Sequence, residues 1–260
     1  MRTESNRSFA RHSHGTYGIG LLLDGAQRSA SGRGEVEACA GQLIASNPEE
    51  VHDGRPSSGS GRSWHMVYFE PAMMASMIDH ATAGGASVEF SRPVMQDVLL
   101  RSSLIRLFDR LRQWRDGPEA RDVSTLACEE SLAGVGASLA PHVGQRAPRE
   151  VDSDMSRIRE RLADDPLRPP TLDEMAALAG LSKYQVLRRF TRQYGTPPHA
   201  WLTQRRADLA RRLICEGRDL VTAALESGFS DQSHMTRLFS RQFGFTPGAW
   251  KKAVARRSVP

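Results

Sequence analysis

Two stretches in the last hundred residues carry the same pattern twice. Ala-Gly-Leu-Ser at 179–182, followed by Arg-Phe-Thr-Arg-Gln-Tyr-Gly at 189–195, returns as Ser-Gly-Phe-Ser at 227–230 and Leu-Phe-Ser-Arg-Gln-Phe-Gly at 238–244. Phe190 and Phe239, Pro198 and Pro247, and Trp201 and Trp250 keep an offset of 49 residues. Gly180 and Gly228 are 48 apart, so the second copy holds one extra residue after its serine. A period in this range marks a duplicated supersecondary unit.

Local signals specify the unit. Thr171-Leu172-Asp173-Glu174 has the form of a capping box, with a hydroxyl accepting an orphan amide and a glutamate reaching back. Met175, Leu178 and Ala179 then share one face at helical spacing. Gly180 supplies a tight turn, and Ser182 with Gln185 three residues on starts a second helix. Val186, Phe190 and Tyr194 form that helix's apolar stripe, and Gly195 stops it. In the second copy Asp219 or Thr222 starts the first helix, Gly228 makes the turn, and Ser230 or Asp231 caps the next. Its stripe is Met235, Phe239 and Phe243, with Gly244 as the stop. Pro197 to Glu216 reads as one connecting helix, and Asp154 to Leu162 as one more upstream. Each copy is a helix-turn-helix.

This arrangement resembles the AraC/XylS family of bacterial transcription regulators. The resemblance covers about residues 152–256 and is most specific in Gly-Phe-Ser-Asp-Gln-Ser-His-Met-Thr-Arg-Leu-Phe-Ser-Arg-Gln-Phe-Gly-Phe-Thr-Pro at 228–247. It implies two recognition helices reading major-groove segments about one DNA turn, ~34 Å, apart. Off the buried stripe lie Lys183, Tyr184, Gln185, Leu187, Arg188 and Arg192 on the first helix. On the second these are Gln232, Ser233, His234, Thr236, Arg237 and Arg241. By resemblance, Tyr184, Leu187, Arg188, Gln232, Ser233 and Arg237 match positions facing bases or nearby phosphates. Arginine pairs bidentately with guanine and glutamine with adenine, whereas Leu187 would touch a thymine methyl or pack internally. The family also implies a promoter and RNA polymerase as partners.

Charge is distributed accordingly. Residues 151–260 carry 19 Lys and Arg against 12 Asp and Glu, net +7, whereas residues 1–150 carry 16 against 18, net −2. Phosphate neutralisation requires such a bias. No apolar run reaches membrane-spanning length, so no membrane partner is expected. Cys39, Cys128 and Cys215 are few and scattered, which suits a reduced, cytoplasmic chain.

A two-domain α+β organisation follows. Residues 1–140 form an effector-binding and dimerisation domain, 141–151 a linker, and 152–260 an all-α DNA-binding domain. Tyr17 to Leu23, Gly34 to Cys39, Gln42 to Ala45 and Ser63 to Phe69 read as strands, and Asp24-Gly25 as a hairpin-type turn. Segments 72–83, 92–115 and 120–140 read as helices. Within 92–140, Val94, Val98, Leu104, Leu107, Phe108 and Leu111 make an apolar face for a homodimer or for packing on the strands. The N-terminal segment Met1–Ser8 is either a moving arm or a disordered terminus. Phe-Ala-Arg-His-Ser-His (9–14), Leu-Leu-Asp-Gly (22–25) and Asn-Pro-Glu-Glu-Val-His-Asp-Gly (47–54) resemble the cupin-like sensor domain preceding many AraC-type DNA-binding domains. That resemblance implies a β-barrel followed by helices, with a small-molecule effector in the barrel.

His12, His14 and His52 are the one constellation with chemical potential. Three imidazoles with open positions suit zinc, iron or nickel. Metal-binding cupins also bring a carboxylate four or so residues after the second histidine, and Gly18 and Ile19 stand there instead. The expectation is therefore no metal and no cofactor, with the histidines lining an effector pocket or serving the structure. Tyr17, Trp64, His65 and Tyr68 are further pocket candidates. His80, His142 and His199 read as surface or linker residues. With no inferable Ser-His-Asp triad and no Gly-rich phosphate loop, an enzyme is not expected. The alternatives are a metal-dependent cupin enzyme with a DNA-binding tail and a non-specific nucleoid-type binder.

Overall fold

Asn-Pro, Asp-Gly and Ser-Gly punctuation breaks the first half into short strands, and the computed structural model describes residues 2–6, 8–31, 33–57, 61–79, 88–116, 121–145 and 152–255. Contacts divide the chain into two units. The first comprises the described residues of Met1–Ser8, Gly15–Pro48 and Gly54–Ala147; the second those of Phe9–His14, Glu49–Asp53 and Pro148–Pro260. Two short N-terminal segments thus associate with the C-terminal helices.

In chain order the N-terminal elements are β1 (Arg2–Ser5), β2 (Phe9–His12), β3 (Tyr17–Asp24), β4 (Ala26–Ser31), β5 (Gly34–Cys39), β6 (Leu43–Ser46), β7 (His52–Pro56) and β8 (Arg62–Phe69). They continue with α1 (Pro71–Asp79), β9 (Val88–Phe90), β10 (Val94–Met95), α2 (Val98–Asp116), α3 (Arg121–Leu139), a 3-10 turn (Ala140–His142) and β11 (Val143–Gln145). The strands make a five-stranded sheet in the order β1-β8-β3-β6-β10, a four-stranded sheet β2-β7-β4-β5 and the pair β11-β9. β3 lies in the middle of the larger sheet, and its run Tyr17 to Leu22 is continuously buried. Tyr17, Ile19, Leu21, Leu43 and Phe69 join Met74, Ile78, Leu100, Leu104, Leu107, Val135 and Leu139 from the helices in one core. Asn47 fastens that core to β9, because its Oδ1 accepts from the Phe90 amide at 2.7 Å.

Several expectations need correction. Among the described residues the strands form separate sheets and do not close into a barrel. The N-terminal segment is not a free arm: β1 pairs antiparallel with β8 from Arg2↔His65 to Ser5↔Arg62, a backbone bond pattern that needs no apolar side chains. The Asp24-Gly25 turn closes no hairpin, since β3 and β4 lie in different sheets. The hairpin is β4–β5, registered from Ala26↔Cys39 to Ser31↔Gly34. The helix read from Arg92 starts at Val98 because Asp97 caps it, accepting from the Leu100 amide at 2.8 Å, while Val94 pairs with Ile44 in the sheet. Leu104 and Leu107 are buried in the unit's own core, with Phe108 and Leu111 against it, so this stripe packs on the strands. His142 is tied down, its Nε2 lying 2.8 Å from Asp97 Oδ2. Within the segment read as linker, Val143–Gln145 forms β11 on β9; residues 146–151 and His80 lie outside the described residues.

The C-terminal helices are α4 (Ser153–Asp164), α5 (Leu172–Ala179), α6 (Lys183–Tyr194), α7 (Pro198–Cys215), α8 (Leu220–Glu226), α9 (Gln232–Phe243) and α10 (Pro247–Ala255). The caps are chemical. Thr171 and Glu174 form a reciprocal box at α5, and Ser182 and Gln185 another at α6. Asp219 starts α8 and Asp231 starts α9. Gly180, Gly195 and Gly244 stop their helices in left-handed conformation. Leu178 departs from its expected inward face and is 37% exposed, leaving Met175 as the buried residue of α5. Met155, Ile158, Leu162, Met175, Val186, Phe190, Trp201 and Leu202 form one core. Ala207, Ala210, Ile214, Ala223, Ala224, Phe229, Met235, Phe239 and Val254 form another. α7 contributes to both.

Candidate nucleic-acid interface and histidine cluster

Each recognition helix is held by the stripe that the sequence marks out. On α6, Val186 and Phe190 are fully buried and Tyr194 packs beside Phe190, with ring centroids 4.6 Å apart. On α9, Met235 and Phe239 are fully buried, and Phe243 meets Phe239 edge-to-face with ring centroids 4.5 Å apart. Burying each such side chain stabilises by roughly 1.5–3 kcal/mol, enough to fix the rotation of a 12-residue helix about its axis. The opposite face is thereby turned outward.

That face carries the residues expected to meet DNA. Lys183, Tyr184, Gln185, Leu187, Arg188 and Arg192 are all exposed on α6, and Gln232, Ser233, Arg237 and Arg241 on α9. His234 and Thr236 are half-buried. Tyr184 is 72% exposed, far more than an aromatic ring needs for packing, and Leu187 lies at the surface rather than in the core. Among the described residues neither Arg188 nor Arg237 forms an ion pair. Three residues have prior commitments. Gln185 accepts the Ser182 amide at 2.9 Å, Lys183 Nζ lies 2.6 Å from Asp173 Oδ1, and His234 Nδ1 sits 3.0 Å from Ser230 Oγ with its ring edge-on to Phe229. The Lys183–Asp173 pair is exposed and weak, so a phosphate can displace it.

α7 sets the separation of the two heads. Its 18 residues span about 27 Å at 1.5 Å per residue, comparable with the major-groove repeat of one DNA turn. Trp201 and Leu202 anchor it under α6, Ala207, Ala210 and Ile214 under α9, and Trp250 Nε1 donates to Arg211 O at 3.2 Å.

The pocket candidates fall into two groups. His12, His14 and His52 converge, with ring centroids 5.7, 4.6 and 4.9 Å apart pairwise and one ligand atom from each within 4.8 Å of the others. His14 is buried, and the other two keep part of their surface open. Burial, then the neighbouring His52, pushes the His12 pKa down to about 4; burial likewise lowers that of His52. Tyr17, Trp64, His65 and Tyr68 belong to the first unit. Tyr17 is a core residue whose hydroxyl donates to Val88 O, Trp64 is buried beneath the Arg62 guanidinium, and His65 stacks edge-on against Phe108. Tyr68 stays 40% exposed.

Sequence reasoning missed what surrounds the histidines. Gln204 on α7 bonds Ser13, and Arg205 Nη2 meets Glu49 Oε1 at 2.7 Å. Asp208, one turn on, is crowded by protein, and burial raises its carboxyl to about 6 against the pull of Arg211 and Arg205. Polar residues at helical spacing on an amphipathic connector were the available signal, but they do not name their partner.

Comparison with known proteins agrees with this geometry. The helix-turn-helix domain model matches residues 175–253, and the AraC-like ligand-binding domain model matches residues 2–134. The HTH-type transcriptional regulator YbfI of Bacillus subtilis is 28% identical over 233 residues, covering 88% of this chain and 82% of that protein. The transcriptional activator NphR of Rhodococcus is 42% identical over 88 residues, only 33% of this chain and 26% of that protein. The crystal structure of ToxT from Vibrio cholerae superposes with a TM-score of 0.57 over 97% of this chain and 95% of that one, and at 11% identity it shows the shared fold. A ligand-binding domain ahead of paired helix-turn-helix units, matched over more than half its length by the family's own domain, places the chain in the AraC family of DNA-binding transcriptional regulators.

Proposed function

We propose that α6 and α9 read bases in two adjacent major-groove segments, making this a sequence-specific regulator of promoters. The outward display of Tyr184, Leu187, Arg188, Gln232, Ser233 and Arg237 on two helices rooted in one connector carries this reading. Arg188 and Arg237 read guanine, Gln232 reads adenine, and Leu187 touches a thymine methyl. Lys183, Arg192 and Arg241 neutralise phosphate and Thr236 contacts the DNA beside them, while Gln185 and His234 act chiefly in orienting the helix starts. The bounds proposed for the domains are 1–140 and 152–260, with the linker between.

A small-molecule effector acts through the N-terminal domain, since the matched domain is a ligand-binding one and ToxT has been crystallised with an unsaturated fatty acid bound. Trp64 and Tyr68 are the aromatic candidates to meet such a ligand. It shifts DNA affinity only by binding two states unequally. The chain is a regulator rather than an enzyme, acts in the cytoplasm, and engages RNA polymerase and a second copy of itself, as the family implies. Footprinting on the DNA upstream of its own gene, across a salt series and against a shuffled duplex, tests the reading. Protection of two segments one turn apart, lost on shuffling, is expected. Equal binding to both duplexes would overturn it.

A further inference from the structure

Apart from DNA and effector, the histidine triad brings three ligand atoms within 4.8 Å of one another. We infer that His12, His14 and His52 bind one divalent first-row transition ion, such as zinc, through three imidazole nitrogens, leaving an open position for water or an exogenous ligand. Three observations support this.

The ligand atoms already lie within 4.8 Å of one another. A tetrahedral ion with bonds of about 2.0–2.1 Å needs nitrogens roughly 3.3 Å apart, a contraction available to small ring rotations. The unused nitrogens are also set. His12 Nδ1 lies 2.8 Å from Ala10 O and His52 Nδ1 lies 2.8 Å from Glu50 O. A carbonyl accepts only, so each Nδ1 carries the proton and each Nε2 presents its lone pair; ligand histidines are oriented in this way by their second nitrogen. Finally, acidic charges act on the rings. Glu50 and Asp53 bear on His52, and Asp53 on His12, a field that favours a cation.

The absence of a carboxylate at Gly18 and Ile19 does not oppose a three-histidine site, which is complete in itself. All-nitrogen donors select zinc, nickel, cobalt or copper over magnesium and calcium. The ion would join the end of β2 and the residues just after it to the first residue of β7, two pieces of chain 40 residues apart in sequence. Ser13 and Glu49 tie those pieces to Gln204 and Arg205 of α7.

The test uses the tag-free full chain, stripped with chelator and without DNA, so that its outcome is separate from that of the regulator reading. Titration with Co2+ should give one equivalent and the intense visible absorption of a four- or five-coordinate nitrogen site, with Zn2+ displacing it. His12→Gln and His52→Gln should each weaken binding more than about tenfold, whereas His199→Gln should leave it unchanged. Zinc should raise the melting temperature of the parent chain but not of the two variants. Circular dichroism and melting in chelator establish that the variants fold. Failure of the folded parent chain to bind stoichiometrically would overturn the inference. Parent-like affinity in both folded variants would mean an adventitious ion only, and would overturn it equally.

Discussion

Gln204 Oε1 accepts both the backbone amide of Ser13, at 3.1 Å, and the Ser13 hydroxyl, at 3.0 Å. One side chain on the connecting helix thus fixes the residue that separates His12 from His14. Gln204→Ala leaves the buried Ser13 without its acceptor and should lower stability by about 1–2 kcal/mol, read from the urea midpoint. An unchanged midpoint would show that the bond contributes nothing net.

Arg188→Ala and Arg237→Ala should each weaken binding to the specific site by about 1–3 kcal/mol and relax preference at one base position. Arg192→Ala should instead weaken all duplexes alike and flatten the salt dependence by about one ion. Binding isotherms on single-base variants of the footprinted site distinguish these outcomes. Equal losses on every sequence for Arg188→Ala would remove it from base reading.

Gly180 and Gly195 separate two costs of a side chain. Both are left-handed, with φ of 63° and 70°, but a Cβ at Gly180 would meet open space, whereas one at Gly195 would lie 2.8 Å from Val51 Cγ2. Gly180→Ala should cost about 1 kcal/mol for the backbone alone. Gly195→Ala should cost a further 1–3 kcal/mol or so for the overlap, and Val51→Ala in the same chain should recover most of that surplus. Thermal or chemical denaturation of the three variants measures both terms.

Asp208 makes the fold favour mild acid locally. Burial raises its carboxyl from 3.8 to about 6, and Glu49 reinforces the shift while Arg205, Arg211 and Arg212 oppose it. The folded state therefore holds the proton more tightly than the unfolded chain. This contribution is fully present below about pH 4 and is lost as pH rises to about 6. Asp208→Asn should stabilise the protein on the order of 1–2 kcal/mol at pH 7.5 and by little at pH 4, relative to the parent at each pH. Equal effects at both values, in denaturant titrations, would mean the carboxyl does not titrate in this range.

Features written in short-range chemistry were legible in the sequence. Thr171 with Glu174 and Ser182 with Gln185 are complete capping boxes four residues long, and Gly195 and Gly244 stop helices by their own conformational freedom. The stripes Val186–Phe190 and Met235–Phe239 repeat at helical spacing, so the outward faces followed. Pairing across long stretches of chain was not legible. β1 is polar throughout and is a strand only because β8 offers it a backbone edge. Nothing in the sequence marks Arg62 for burial, yet it is buried, with Nε donating to Gln27 and Nη2 to Gly54 O. Of the pocket candidates, the histidines did come together. Tyr17 went to the core instead, because an aromatic on a central strand is bounded on both sides by apolar neighbours.

The two heads are copies that have diverged. α6 begins with the reciprocal box of Ser182 and Gln185, whereas α9 begins one residue later relative to its turn, on Asp231 alone, and displays different side chains. Operator palindromes mirror a protein's two-fold symmetry; no such symmetry relates Arg188 with Leu187 to Arg237 with Thr236. A single chain on the duplex therefore has a front and a back. Turning its site end for end would present each head with the other's bases, so this fold gives a control element a direction, as a promoter itself has.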